Sequence, residues 1–316
     1  GYAWLLDGLN FADATNHCYG HAFVLLAYAT AVKAGITEAA PLLAETYELM
    51  EERFWRADDS LYVDEISSDW SVIAPYRGQN ANMHTCEAMI AAYEATGDRR
   101  YIERSRIIAR KVCIDLAGQS GGFIWEHYKE DWSIDWEYNR DDPKNLFRPY
   151  GFLVGHWIEW AKLLLILEEH NPEPWMLPQA TLLFDTAIEK GWDHGNGGFN
   201  YSISPSAEDV RASGIDPLKL GDRSAGQIID SDRYYWVLSE TVAAAGLLAS
   251  RLDDDYYRDW YNRAWEWSIE HLVDSEYGGW YRILDNSNQR YDNLKSPASK
   301  TDYHPVAACQ ELFKRL

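Results

Sequence analysis

The chain has 316 residues, 47% of them apolar, with 29 Lys+Arg against 50 Asp+Glu and a formal net charge of -21. That size suits one large domain or two small ones, and the negative charge argues against nucleic acid and anionic membrane surfaces as partners, because both would repel it. The longest apolar runs, Ala22 to Val32 and Ala161 to Leu167, fall short of the roughly 18 residues that span a bilayer.

Helix-period apolar stripes separated by turn signals predict nine helices, near residues 19–34, 38–55, 81–97, 99–116, 150–170, 176–190, 232–251, 253–272 and 303–315. They alternate in character. Segments beginning near Tyr19, Asn80, Gly155, Asp232 and Tyr303 open with polar and aromatic residues and then become almost wholly apolar. The intervening segments, such as 39–55 and 254–271, are amphipathic with charged faces. The first set reads as inner helices and the second as outer. After each outer helix comes a related short string: Arg56 to Tyr62, Gln119 to Phe123, Asn196 to Phe199 and Glu276 to Trp280. The recurrence predicts an internal repeat of one helical hairpin plus a Gly-turned excursion. Extra length lies in segments such as Tyr201 to Asp230, and insertions of this kind map to one face.

A closed ring of paired helices needs an even number, and nine is odd. The segments at Tyr19 and Tyr303 are both of the inner type, so the first lacks an outer partner. If a full ring has six hairpins, three helices precede Gly1, roughly 90 residues at about 30 per helix with its connection. The expectation is a single all-α domain over residues 1–316, incomplete on its N-terminal side. No signal peptide is visible at Gly1. Cys18, Cys86, Cys113 and Cys309 show no CxxC spacing, so neither a disulfide scaffold nor a zinc ribbon is expected and a reducing cytoplasm fits.

Four strings carry a resemblance: RGQNANMHTCEAMIAAYEATGD, GHWIEWAKLLL, HCYGHAFVLLAYA and the terminal KTDYHP. They are similar to the N-acylglucosamine 2-epimerase superfamily, and within it to the aldose-ketose isomerase branch of mannose isomerase and sulfoquinovose isomerase type. The resemblance runs from about Gly1 to the C-terminus. It implies an (α/α)6 barrel of helical hairpins, in keeping with missing front hairpins. It also implies a substrate-contacting Arg in that missing region, for which no residue here stands.

Interconverting an aldose and a ketose requires removing the proton alpha to a carbonyl and returning one to C1 or C2, with an enediol between. Histidine has a suitable unperturbed pKa, and His84, His156 and His304 each stand at the entrance of an inner helix. His156 is followed at i+3 by Glu159, which would hold the imidazole in one tautomer and raise its basicity. His84 and Glu87 repeat the spacing. By resemblance, His156 and His304 look like the acid–base pair at C1 and C2, and His84 like the residue that assists ring opening or polarises an oxygen.

Substrate contacts are expected from Tyr19, His21, Arg77, Asn80, Asn82 and Glu87 around the first inner helices. Trp157, Trp160, Tyr235 and Trp236 offer flat faces for sugar C–H groups, with Glu240 beside them. Lys300 and Asp302 flank the last motif, where a surface salt pair serves as well as a substrate role. His17 and His194 read as loop residues, and His127, His170 and His271 as having polar or outer-helix surroundings; none is assigned chemistry. Cys86 reads as a buried small hydrophobe. No GxGxxG or Walker string occurs, so no nucleotide cofactor is indicated.

The reading is a cofactor-independent sugar isomerase of a free monosaccharide, mannose–fructose leading, with a homo-oligomer left open. Reprotonation at C2 would instead make it a 2-epimerase of mannose, cellobiose or N-acylglucosamine; the Tyr303-His304-Pro305 continuation resembles the isomerase branch more. Paired His-x-x-Glu elements also resemble, in reverse, the Glu-x-x-His ligands of carboxylate metal sites. That reading needs further inward carboxylates, and only Glu240 stands out, so no metal is expected. An inverting glycoside hydrolase using Asp135, Glu137 or Glu240 and a non-catalytic sugar-binding protein are the readings of other classes.

Overall fold

The computed structural model describes residues 1–212, 214, 226–296 and 302–315, so Lys300 and positions 213 and 215–225 of the Tyr201 to Asp230 insertion lie outside the described residues. A hairpin of β1 (Leu5–Asp7) and β2 (Asn10–Asp13) opens the chain, and the same unit then recurs four times. Each unit is a two-residue strand, an inner helix, an outer helix, and a second strand that pairs antiparallel with the first.

In the first repeat β3 (Asn16–His17) leads into α1 (Cys18–Lys33) and α2 (Ala39–Arg53); after the hairpin of β4 (Trp55–Arg56) and β5 (Leu61–Tyr62), β6 (Glu65–Ile66) pairs back on β3. In the second, β7 (Arg77–Gly78), α3 (Gln79–Thr96) and α4 (Arg99–Arg110) are followed by a π turn (Lys111–Leu116), a 3-10 turn (Ala117–Ser120) and β8 (His127–Tyr128), which pairs with β7. The third has β9 (Phe152–Leu153), α5 (Val154–His170), α6 (Met176–Gly191) and β10 (Ser202–Ile203); a short α7 (Ala207–Ala212) precedes β11 (Ile228–Asp230), which joins β10. In the fourth, β12 (Arg233–Tyr234), α8 (Tyr235–Leu252) and α9 (Asp255–His271) end on β13 (Ile283–Leu284), and α10 (Tyr303–Arg315) closes the chain.

The nine predicted helices are all present, with α7 in addition. Stripes placed from 150 and 232 start too early, because 152–153 and 233–234 are strands. Two residues cannot display a period-2 pattern, and their ladder partners lie far along the chain. His17 belongs to β3 rather than a loop. His127, assigned polar or outer-helix surroundings by sequence, is buried in β8 with its Nδ1 2.9 Å from the Tyr76 hydroxyl.

The chain divides into two compact units, Gly1–Tyr138 with Glu169–Pro172, and Asn139–Glu168 with Glu173–Leu316. In the first, Leu25, Phe54, Met83, Met89, Ile102 and Ile108 are fully buried. In the second, α5 is buried from Val154 through Leu167 and α8 from Tyr235 through Ala249, as expected of helices apolar all round. The outer helix α9 buries one stripe, Tyr257, Trp260, Ala264 and Trp267. It starts at a side-chain cap, with Tyr256 N–H donating to Asp254 at 2.9 Å. No described helix is long and apolar enough to cross a membrane.

The excursions of the last two repeats are built alike. Gly197 N–H donates to Asp193 O and Asp193 N–H to Gly198 O; Gly278 and Gly279 repeat this on Asp274. Bridges Trp192–Phe199 and Val273–Trp280 close the two loops. All four glycines have φ between 73° and 78°, left-handed backbone that costs an L-residue about 1–2 kcal/mol. At Gly198 a Cβ would also lie 2.7 Å from the Trp267 ring. Gly198→Ala is therefore expected to destabilise the chain by about 2 kcal/mol, read from the urea midpoint at unchanged m-value. A shift under a quarter of that size would contradict the repeat-turn account.

Candidate active site

In the second unit, helix starts bring the predicted groups together. The strand β9 ends at Leu153, so His156, Glu159 and Lys162 fall on the first three turns of α5, spaced i, i+3 and i+6 on one face. β12 delivers Trp236 and Glu240 on the opening turns of α8, and α10 begins at Tyr303, which places His304 in its first turn.

A close contact joins residues 64 positions apart. His304 Nδ1 lies 2.7 Å from Glu240 Oε1, both side chains fully buried. A carboxylate only accepts, so Nδ1–H donates and the basic lone pair of the neutral ring sits on Nε2. The other oxygen of Glu240, Oε2, lies 2.7 Å from the Lys162 ammonium, itself 1% exposed. Burying one charge alone is costly, whereas paired charges offset one another. One carboxylate thus holds an imidazole with one oxygen and a cation with the other.

Trp236 joins the two histidines. Its ring centroid lies 5.3 Å from that of His156 and 5.3 Å from that of His304, the latter pair stacked at 29°. Tyr303 packs at 4.5 Å on His304, and Tyr201 meets Trp236 edge-on. The helix α5 approaches so closely that a Cβ on Gly155 would lie 2.4 Å from the Trp236 ring. Gly155→Ala must push the indole away, and overpacking of this kind costs about 1–3 kcal/mol. We expect a lowered thermal midpoint together with reduced activity at the same site; an unchanged midpoint would show that the indole yields without cost.

Glu159, Glu240 and His304 each present one donor atom, and these lie within 4.8 Å of one another. The spacing is that of a cation cluster, but the donor set does not fit a resident divalent ion. The Lys162 ammonium already sits on Glu240, where it would repel one.

In the first unit His84, 2% exposed, has Nδ1 3.4 Å from Glu87 Oε2. Tyr19 meets the His84 ring edge-on at 5.1 Å and Phe23 packs at 4.9 Å. His21 is fully buried, its Nδ1 2.8 Å from His17 O and its ring packed by Tyr2, Phe54 and Trp70. Burial pushes the His21 imidazole down, favouring the neutral form.

Arg77 is buried and donates to the backbone carbonyls of Ala74 and Tyr76. Asn82, expected to meet sugar hydroxyls, instead latches β5: its Oδ1 accepts from Tyr62 N–H at 2.9 Å and its amide donates to Tyr62 O at 3.0 Å. Sequence could not show this, because the partner strand lies twenty residues away. Asn80, beside it, is half-buried. Trp157 and Trp160 are buried within α5, Trp157 against Phe152.

Of the hydrolase candidates, Glu137 is exposed and Asp135 accepts from its backbone N–H. Cys86 is buried, and burial pushes its thiol far up, as befits a packing residue. Lys162 is the site residue the sequence reading missed. The available signal was a lone lysine in the otherwise apolar run AKLLLIL, where a buried partner is required.

The sequence profile of the N-acylglucosamine 2-epimerase (GlcNAc 2-epimerase) family matches residues 1–308. A D-mannose isomerase of Marinomonas mediterranea is 48% identical over 317 residues, an alignment covering 100% of this chain and 76% of that protein. The crystal structure of a D-mannose isomerase superposes with a TM-score of 0.92 at 48% identity, over 100% of this chain and 76% of that one. A cellobiose 2-epimerase from Bacillus thermoamylovorans B4167 shares the fold at a TM-score of 0.79, 18% identity and the same coverages. The fold class is therefore the all-α (α/α)6 class that the family resemblance implied.

Proposed function

The chain belongs to the N-acylglucosamine 2-epimerase family, and on that footing we propose that it interconverts D-mannose and D-fructose by proton transfer, without a cofactor. What supports the reading is one arrangement: His304, oriented by Glu240, shares the Trp236 ring with His156, in a chain 48% identical to a D-mannose isomerase.

One imidazole, neutral, removes the C2 proton of the open-chain aldose as O1 is protonated to give the cis-enediol; the other, protonated, then delivers a proton to C1 as the O2 hydroxyl loses its proton and C2 becomes the ketone. Glu240 serves His304 by fixing its tautomer, so that Nε2 exchanges the proton. Glu159, one turn beyond His156 on α5, is proposed as its orienting carboxylate. His84, beside Glu87, is proposed to assist ring opening. Four free cysteines support a reducing, cytoplasmic setting for the reaction.

The test is to incubate the chain with mannose, fructose, glucose and cellobiose in deuterated water, with and without chelator, and follow products by NMR. Fructose should form from mannose with deuterium at C1, recovered mannose should gain it at C2, and chelator should leave the rate unchanged. Glucose from mannose would mean a 2-epimerase. Cleavage of cellobiose would favour the hydrolase reading. A chain that exchanges no proton with any free sugar would sink both isomerase and epimerase.

A further inference from the structure

We infer that Tyr201 is a positioning residue, which joins the start of α5 to the start of α8 and so fixes where His156, Trp236 and Glu240 stand relative to one another. This rests on reading His156 and His304 as the acid–base pair. Tyr201 belongs to neither helix: it lies between α6 and β10.

Its backbone makes the first joint. Tyr201 O accepts from Val154 N–H at 3.3 Å, and Val154 is the first residue of α5, two positions before His156. Tyr201 N–H donates to Asp230 O at 2.8 Å, at the end of β11. The segment that leads into β12 is thereby tied to the same residue.

Its ring makes the second joint. Tyr201 stacks on Tyr234, with centroids 3.9 Å apart and planes at 28°, and meets the Trp236 ring at 5.9 Å and 89°. Stacked and edge-to-face pairs are arrangements that aromatic quadrupoles favour. Tyr234 and Trp236 flank the residue at which β12 turns into α8. Helix α9 fixes its start with the Asp254 cap, whereas α8 has Tyr234 at its N-cap and no side-chain capping bond. The Tyr201 ring, in contact with residues 234 and 236, takes over the task of setting where the helix begins.

The start of a helix sets its phase. Trp236 and Glu240 are four residues apart on one face, and both serve His304: the indole stacks on it, and Glu240 Oε1 lies 2.7 Å from its Nδ1. The same indole contacts His156. A displaced start of α8 would move all of these contacts together, and a misplacement of about 1 Å at a reacting centre can cost roughly 10²-fold in rate.

The test compares Tyr201→Phe, which keeps the ring, with Tyr201→Leu, which keeps bulk without it; both retain the backbone bonds. The imidazole C–H resonances of His156 and His304, assigned with His156→Gln and His304→Gln, report the position of the indole through its ring current. In Tyr201→Leu both sets should move, and kcat for mannose should fall about tenfold with KM within about threefold of the parent. Tyr201→Phe should leave the resonances, kcat and KM near the parent. Tyr234→Leu removes the backing ring and leaves Trp236 in the chain; it should displace the same resonances, and it serves where Tyr201→Leu does not fold. The double variant Tyr201→Leu/Tyr234→Leu should lose no more kcat than Tyr201→Leu, because rings that act as one unit give non-additive losses.

A purely structural tyrosine would lower the melting temperature and the folded fraction, with resonances, KM and the kcat of the folded chain all parental. Resonances that stay fixed in Tyr201→Leu, or losses that add in the double variant, overturn the inference. The NMR comparison needs no turnover. A chain that isomerises no sugar while its resonances move as stated would reject the proposed reaction and leave the joint standing.

Discussion

His304→Ala should lower kcat for mannose–fructose interconversion by about 10³-fold, the scale of a lost general acid or base, and should abolish deuterium entry at C1 and C2. His304 sits in the first turn of α10 with no exposed surface, and its Nδ1 lies 2.7 Å from Glu240 Oε1. The substitution removes an imidazole and leaves the Glu240–Lys162 ion pair in place, so the charged core stays compensated. The helical circular-dichroism spectrum should be unaltered at 25 °C. Activity within tenfold of the parent, in a chain with that spectrum, would show that the proton carrier at this position has been misassigned. His304→Gln, which keeps an amide donor for Glu240, should be equally inactive and closer to the parent in stability.

The largest effect on stability is expected at Glu240. Glu240→Gln leaves the Lys162 ammonium inside the core without a counter-charge, a change that costs about 3–5 kcal/mol when one partner of a buried pair is removed. Urea unfolding of the single variant should show this as a large fall in midpoint. Adding Lys162→Met should restore most of the loss, because replacing both partners by groups of similar shape is far less costly than breaking the pair. Activity should recover less than stability, since a neutral amide oxygen accepts from His304 Nδ1–H more weakly than the carboxylate does. Two single losses that simply add in the double variant would mean that Lys162 and Glu240 act independently, contrary to their 2.7 Å contact.

Much of the site was legible because it lies at fixed short spacings. His84 with Glu87, and His156 with Glu159, are one turn apart, and helical period alone puts each pair on one face. Family strings such as GHWIEWAKLLL supplied the chemistry those pairs serve, and the profile match over residues 1–308 bears out the family. Sequence reasoning gave His156 its orienting carboxylate and left His304 without one. The structure pairs His304 with Glu240, which had been placed among the sugar contacts. Asn82 was placed there as well, and its amide instead holds the Tyr62 backbone. Both differences concern partners on other elements.

By itself the sequence determined the alternation of inner and outer helices, the recurring Gly-turned excursion, the histidines at inner-helix starts and the family. All of these depend on neighbours within about one helical turn or on strings that stand contiguous in the chain. Only the tertiary structure decided that two-residue strands close every repeat, that Glu240 joins His304 to Lys162, and that one indole contacts both His156 and His304. A strand of two residues has no period to read, and a buried charge reveals its partner only when distant helices pack. Local pattern names the groups that carry the chemistry, and the packing of remote elements sets which carboxylate holds which imidazole.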